Sequence, residues 1–355
     1  MKELKIGELT ASIPVIQGGM GVGVSLERLA GAVAREGGIG VISTAQIGFR
    51  EDGYDRNPLK TNLAAIGKVV GLARKTAAGG VIGANIMVAT QEYGEYVKAA
   101  VEAGVDLIIS GAGLPVDLPR YVEGSRVKIA PIVSSKKAAD VILKLWDRKY
   151  RRVPDLVVIE GPEAGGHLGF SREELERGNF QEYEQEIGQI LGEVGEYAEK
   201  YQKEIPVVVG GGVFDRGDME RVMRLGVNGV QVATRFVTTE ECDAAEEYKQ
   251  AYIRCKKEDI VIVDSPVGLP GRAIRNRFLE EVGRFPGRFR AERCRRCIVG
   301  CDPGRVVYCI SRALIAAVKG DVEEGLVFCG GKAYRAERIE GVREVMREFE
   351  LWGDL

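Results

Sequence analysis

The sequence predicts a (β/α)8 TIM barrel with a smaller C-terminal cap, and three observations predict it. Eight short apolar runs, near residues 13, 38, 81, 105, 127, 155, 205 and 229, alternate with segments of helical periodicity. Such alternation favours a closed barrel over an open doubly wound sheet. Glycines follow most of these runs, which puts them on one rim, the C-terminal face where such barrels keep their sites. Beyond Thr238 the alternation stops and charged, turn-rich and cysteine-bearing segments take over.

A chain of 355 residues suits one barrel-sized domain plus an added module. The expected division is a barrel over residues 1–238, a cap over 239–330 and a C-terminal helix over 331–355 that packs back on the barrel. Basic and acidic residues are mixed and the formal net charge is −2, so no overall field argues for a nucleic-acid or membrane partner. No window reaches the about 20 apolar residues of a membrane span, and the start, MKELKIGELTASIP, has no apolar leader region; a cytoplasmic protein is expected. Seven cysteines, an odd number, argue against a disulfide framework.

Each element has its own justification. The run at 13–16 leads into Gln17-Gly18-Gly19-Met20, and from Ser25 a helix puts Leu26, Leu29, Ala30 and Val33 on one face. Only half a capping box is present there, since Arg28 stands where a carboxylate or amide would complete it. Gly37 stops this helix before the strand at 38–42. A helix over 62–78 leads to the strand at 80–86 with Asn85 near its end, and a helix over 91–103 leads to the strand at 106–109. The strand at 127–132 carries Lys128 and precedes a helix over 137–146. The strand at 155–159 feeds the loop of His167; a helix over 181–200 leads to the strand at 205–209, and one over 218–225 to the strand at 229–232. The cap reads as a helix over 243–256, a strand over 259–264 and a turn-rich segment over 265–276, with a closing helix over 337–352.

His167 is the only histidine, in EGPEAGGHLGF directly after a strand buried on both faces. Imidazole titrates near neutral pH, and glycines beside it let a ligand approach closely, so His167 is the candidate acid–base residue; a histidine that only satisfies a tight turn is the alternative. Gly211 and Gly212 follow the seventh strand, and Gln231, Val232, Ala233 and Thr234 end the eighth and follow it, which is where barrels often bind phosphate. No Gly-x-Gly-x-x-Gly or Gly-Lys-Ser/Thr phosphate loop is present, which argues against Rossmann and nucleotide-triphosphatase cradles. Gln17, Gly18, Gly19 and Met20, with Asn85 and Lys128 expected to point into the mouth, offer amides, a cation and backbone N–H groups that suit a flavin ring.

The stretches IQGGMGVGVSLERLAGAVAREGGIGVIS, GANIMVA, KIAPIVSS, EGPEAGGHLG, PVVVGGGV and GVQVATRF, in this order, resemble the nitronate monooxygenase (2-nitropropane dioxygenase) family. They also resemble the related flavin-dependent enoyl-acyl carrier protein reductases. The resemblance implies a barrel that binds FMN without a covalent link. Gln17, Gly18, Gly19, Met20, Asn85, Lys128, Gly165 and Gly166 would hold the ring and ribityl chain, and Gly211, Gly212, Gln231, Val232, Ala233 and Thr234 the phosphate. His167 would be catalytic, taking a proton from a nitroalkane whose nitronate is then oxidised with O2 to a carbonyl compound and nitrite. The alternative is an NAD(P)H-dependent enoyl thioester reductase acting on an acyl carrier, in which His167 stabilises a developing enolate. A non-catalytic flavin-binding protein is the third possibility.

Cys294, Cys297, Cys301 and Cys309 are spaced Cys-x2-Cys-x3-Cys-x7-Cys, which fits neither paired zinc knuckles nor the ferredoxin run, so reduced structural thiols and no metal are expected, with a bound metal or cluster as the alternative. The nearby Arg284, Arg288, Arg290, Arg293, Arg295 and Arg296 read as a solvated face, or as a surface for an acidic carrier or coenzyme A.

Overall fold

The computed structural model describes residues 3–178 and 180–350, and it contains the closed eight-stranded parallel barrel that the alternation predicts. An N-terminal hairpin, β1 (Leu4–Ile6) and β2 (Leu9–Ala11), comes first. The strands β3 (Val15–Gln17), β4 (Ile39–Ser43), β5 (Val81–Met87), β6 (Leu107–Gly111), β7 (Lys128–Val133) and β8 (Val157–Glu160) follow. After a two-residue strand, β9 (Gly166–His167), come β10 (Val207–Gly210) and β11 (Gly229–Val232). The barrel order is β3-β4-β5-β6-β7-β8-β10-β11, closed by β11 against β3 with Val230 opposite Val15.

Successive side chains alternate between two buried faces, which is why each strand reads as a continuous apolar run. Ile16, Val41, Leu107, Ile109, Ala130, Val158 and Val208 fill the interior, while Val15, Ile42, Ile82, Ile108, Ile129, Val157 and Val230 face the helical layer. The hairpin adds Leu4 and Ile6 to the interior and plugs the N-terminal end; each fully buried side chain of this size contributes about 1.5–3 kcal/mol. Helix and strand lie close at Gly40, where a Cβ would run into the carbonyl of Ala30.

Local signals explain where several helices start. Helix Pro58–Ala77 begins four residues before the expected position, because Asn57 accepts the Lys60 N–H and Pro58 is preset for the first turn. Helix Glu27–Arg35 has no cap of its own: Ser25 accepts the Met20 N–H instead, and the cap comes from Asp243. The Asp243 carboxylate accepts N–H groups from Leu26 at 2.7 Å, Leu29 at 3.2 Å and Arg28 at 3.2 Å. Burial pushes its pKa up to about 6 against the pull of these bonds.

Beyond the barrel, β12 (Ile260–Asp264) pairs with β13 (Pro270–Ile274), and β13 pairs with β9. The segment expected to be only turn-rich therefore holds the central strand of a second sheet. Proline is tolerated as its first residue, and its partners lie far away in sequence. Phe278, Phe289 and Tyr308 form a small separate core with ring centroids 4.9 and 5.3 Å apart. The closing helix is Val342–Glu350, with Val342, Val345, Met346 and Phe349 buried against helix Glu27–Arg35 and its neighbours; the expected extension through Trp352 lies outside the described residues. Among the described residues no helix is long and apolar enough to cross a membrane.

Candidate active site

The C-terminal ends of the barrel strands open into a cavity of about 240 Å³. Barrel residues line one side: Gly18, Gly19, Met20, Asn85, Glu160, Glu163, Gly165, Gly166, His167, Gly211, Gly212, Gln231, Ala233 and Thr234. Residues from beyond the barrel close the other, among them Tyr248, Tyr252, Val267, Cys297, Ser311 and Phe328. Most of the residues singled out from sequence thus share one space, although they are spread over five strand ends.

His167 is held from both sides. Its backbone lies in β9, opposite Gly271 of β13, so it is a strand residue and not part of a free loop. Its Nε2 is 2.7 Å from the Ser265 hydroxyl, and its ring packs edge-on against Phe328 at a centroid distance of 5.0 Å. Tyr252 donates its hydroxyl proton to the Phe328 carbonyl, fixing the backbone behind that ring. Burial lowers the His167 pKa to about 4, so the imidazole is neutral at physiological pH and free to accept a proton.

Two carboxylates share the cavity. Glu160, the last residue of β8, accepts the Gly169 N–H at 2.9 Å, and burial raises its pKa to about 7. Glu163 lies against Gly212 with one buried carboxylate oxygen that lacks a hydrogen-bond partner. The Lys332 ammonium stands 4.0 Å from that oxygen.

Three expected residues do not line the cavity. Lys128 is the first residue of β7, at the opposite end of the barrel, and its ammonium pairs with Glu8 of the hairpin turn at 2.6 Å. The expectation that it points into the mouth is corrected: the side chain belongs to the N-terminal plug. Gln17 is fully buried in the wall, its amide donating to the Gly18 carbonyl and accepting the Val41 N–H. The Val232 side chain is also buried, but its carbonyl accepts the Gly18 N–H at 2.8 Å and so shapes the Gly18 turn.

The remaining residues leave room for a flavin. A Cβ at Gly19 would collide with Asn85, and one at Gly18 would lie 3.3 Å from Ala233, so only glycine leaves a smooth floor there. Gly166 has φ +75° and nothing within 4 Å of its would-be Cβ, which leaves room for a flat ring. Gly211 and Gly212 take φ +94° and +79°, conformations that turn backbone toward the cavity at little cost to glycine. The Asn85 and Gln231 amides and the Thr234 hydroxyl add polar atoms on the same side. Sequence reasoning missed Glu160, Glu163, Ser265, Tyr252 and Phe328. Glu160 carried a signal, a carboxylate ending an apolar run, and Glu163 follows it in the same loop; Ser265, Tyr252 and Phe328 reach the site through long-range contacts that no local pattern shows.

Residues 2–350 match the family described as nitronate monooxygenase. A probable nitronate monooxygenase from Staphylococcus saprophyticus is 26% identical over 208 residues, covering 56% of this chain; the chain thus spans about half that relative's length, 52%. Among solved structures, FabK from Thermotoga maritima superposes with a TM-score of 0.71 at 23% identity, covering 96% of this chain and 92% of that one. Nitroalkane oxidase from Streptomyces ansochromogenes gives 0.70 at 18% identity, covering 95% and 94%. These two structural likenesses establish the shared fold. The match to the family along almost the whole chain carries the assignment: this protein belongs to the nitronate monooxygenase family, whose members are flavin-dependent oxidoreductases.

Proposed function

We propose that this protein binds FMN and oxidises alkyl nitronates with O2 to a carbonyl compound and nitrite, with His167 as the base that converts a neutral nitroalkane to its nitronate. One observation carries this: a neutral, half-buried imidazole faces a glycine-floored cavity and is held in place by Ser265 and Phe328. Gly18, Gly19, Asn85 and Gly166 would seat the ring, and Gly211, Gly212, Gln231 and Thr234 the phosphate end. FMN, when bound, supplies the electron acceptor for the nitronate and the route from it to O2. The chain's own contribution is proton transfer and exclusion of water. His167 accepts the carbon-bound proton at a ring nitrogen, and burial keeps that ring neutral until the substrate arrives. Tyr248, Tyr252, Leu314 and Phe328 line the far side of the cavity and would restrict water there.

The carrier-dependent reductase reading draws less support. Three of its six arginines are engaged within the molecule: Arg288 pairs with Glu281 at 2.7 Å, Arg295 with Asp55 at 2.8 Å, and the Arg290 Nε donates to the Val306 carbonyl. The test is an aerobic assay of the purified flavoprotein on an alkyl nitronate, following O2 uptake and nitrite. Nitrite in proportion to O2 consumed is expected. Absence of nitrite together with NAD(P)H-dependent reduction of an enoyl thioester would overturn the proposal.

A further inference from the structure

The chemistry above leaves one cluster of reactive side chains unused. Cys294, Cys297, Cys301 and Cys309 are all free thiols on the irregular stretch between helices Arg277–Arg284 and Ile310–Val318. That stretch is docked on the barrel mouth: the Cys297 carbonyl accepts the Gln91 N–H, and the Val299 N–H donates to the Ala89 carbonyl. The fold also gathers the four cysteines. Burial pushes the Cys297 thiol up to about 11 and the Cys301 thiol in the same direction, and Cys294 and Cys309 stand near enough to both to add to the rise.

Two sulfurs already receive hydrogen bonds of the kind that support metal thiolates. The backbone N–H of Arg296 donates to Cys294 Sγ at 3.3 Å, inside a Cys-x2-Cys turn in which Arg296 takes φ +48°. The Ser311 side chain hydrogen-bonds Cys297. Such bonds to sulfur are the surroundings that orient and tune thiolate ligands. Arg293 and Arg296 belong to the same stretch of sequence and would offset part of the charge of several thiolates. Cys294 and Val299 are exposed, and no helix or strand lies between Arg284 and Ile310.

We propose that Cys294, Cys297, Cys301 and Cys309 form a four-thiolate metal centre at the rim of the active-site cavity, with Cys297, which lines that cavity, as its inner ligand. Among the described residues no three ligand side chains stand in finished metal geometry, so the metal must draw the thiols together. Gly300, at φ +75°, has nothing within 4 Å of a would-be Cβ, which leaves space beside the thiols for the loop to close. This is the behaviour of sites whose ligands are ordered by the metal they bind. Three closely spaced cysteines and a fourth further on resemble an iron–sulfur pattern more than two zinc knuckles, and an iron–sulfur cluster here would adjoin the cavity. Zinc on the same thiolates would be a staple for the loop.

The test is metal analysis of the full-length protein, isolated without oxygen and again after anaerobic incubation with iron and sulfide or with zinc, followed by gel filtration. A stable centre of about one zinc, or about two to four iron with matching acid-labile sulfide and visible absorbance beyond that of flavin, supports the site and tells the two sources apart. Alkylation of the native protein should then leave these four thiols protected as a set. The double variant Cys294→Ser, Cys301→Ser should lose at least about tenfold in metal content while keeping its flavin. Wild-type protein that holds neither metal after reconstitution, with all four thiols still reactive, overturns the proposal whether or not the variant folds.

Discussion

His167 and Glu160 occupy one cavity, yet burial moves their protonation in opposite senses for stability. His167 has a folded pKa of about 4, below the about 6.5 of an unfolded chain, so the unfolded state gains the proton first. Its contribution is full above pH of about 6.5 and is lost as pH falls toward about 4. Glu160, at about 7 in the folded protein against about 4.3 unfolded, contributes below pH of about 4.3 and loses that as pH rises toward 7. Urea unfolding of flavin-free protein across pH 4–8 should therefore show that His167→Gln removes a rise in stability between about 4 and 6.5, while Glu160→Gln removes a fall between about 4.3 and 7. Curves for both variants parallel to wild type would show that neither group is buried as described. In turnover, His167→Ala should lower kcat/KM for a neutral nitroalkane by about 10²–10⁴-fold and leave a preformed nitronate much less affected, because only the former needs a base. Steady-state nitrite assays on both substrates check this, and equal losses on the two would remove His167 from the role of base. The sequence shows His167 plainly as the one histidine behind a buried strand. Ser265 and Phe328, which aim it, are ordinary residues in sequence and gain meaning only through the β9–β13 pairing.

Several elements were legible because their signals are local. Asn57-Pro58 marks a helix start, and apolar runs of four to seven residues mark barrel strands. What stayed hidden was exchanged over long distances. Helix Glu27–Arg35 looks poorly capped because its cap, Asp243, is 217 residues away from Leu26. Asp243→Ala should cost about 2 kcal/mol, measured by urea denaturation, since three backbone donors lose a carboxylate acceptor. A change below about 0.5 kcal/mol would mean that those donors find other partners. Lys128 shows the reverse error, a strand residue assigned to the wrong end of its strand. Its pairing with Glu8 predicts that Lys128→Met leaves flavin affinity within about twofold, as followed by fluorescence titration of the flavin-free protein. A large loss of affinity would return Lys128 to the cofactor site.

At the scale of the whole molecule, the barrel's two buried faces wrote themselves into the sequence as eight apolar runs, so the closed fold could be read directly. The far wall of the cavity could not. It is assembled from Tyr248, Tyr252, Val267, Cys297, Ile310, Leu314 and Phe328, residues spread over some eighty positions whose common surface exists only once the chain has folded. The division of labour is the physical basis of the proposed function: strand ends present glycines and amides to a flavin, and the later segments hold His167 over the same space and keep water out. That arrangement predicts which electron donor the bound flavin accepts. The most direct measurement is an anaerobic titration of the purified flavoprotein, recording its visible absorbance while an alkyl nitronate is added to one sample and NADPH or NADH to another. Bleaching by the nitronate but not by the pyridine nucleotide is the result this account predicts. Rapid bleaching by the pyridine nucleotide alone, with the nitronate inert, would contradict it.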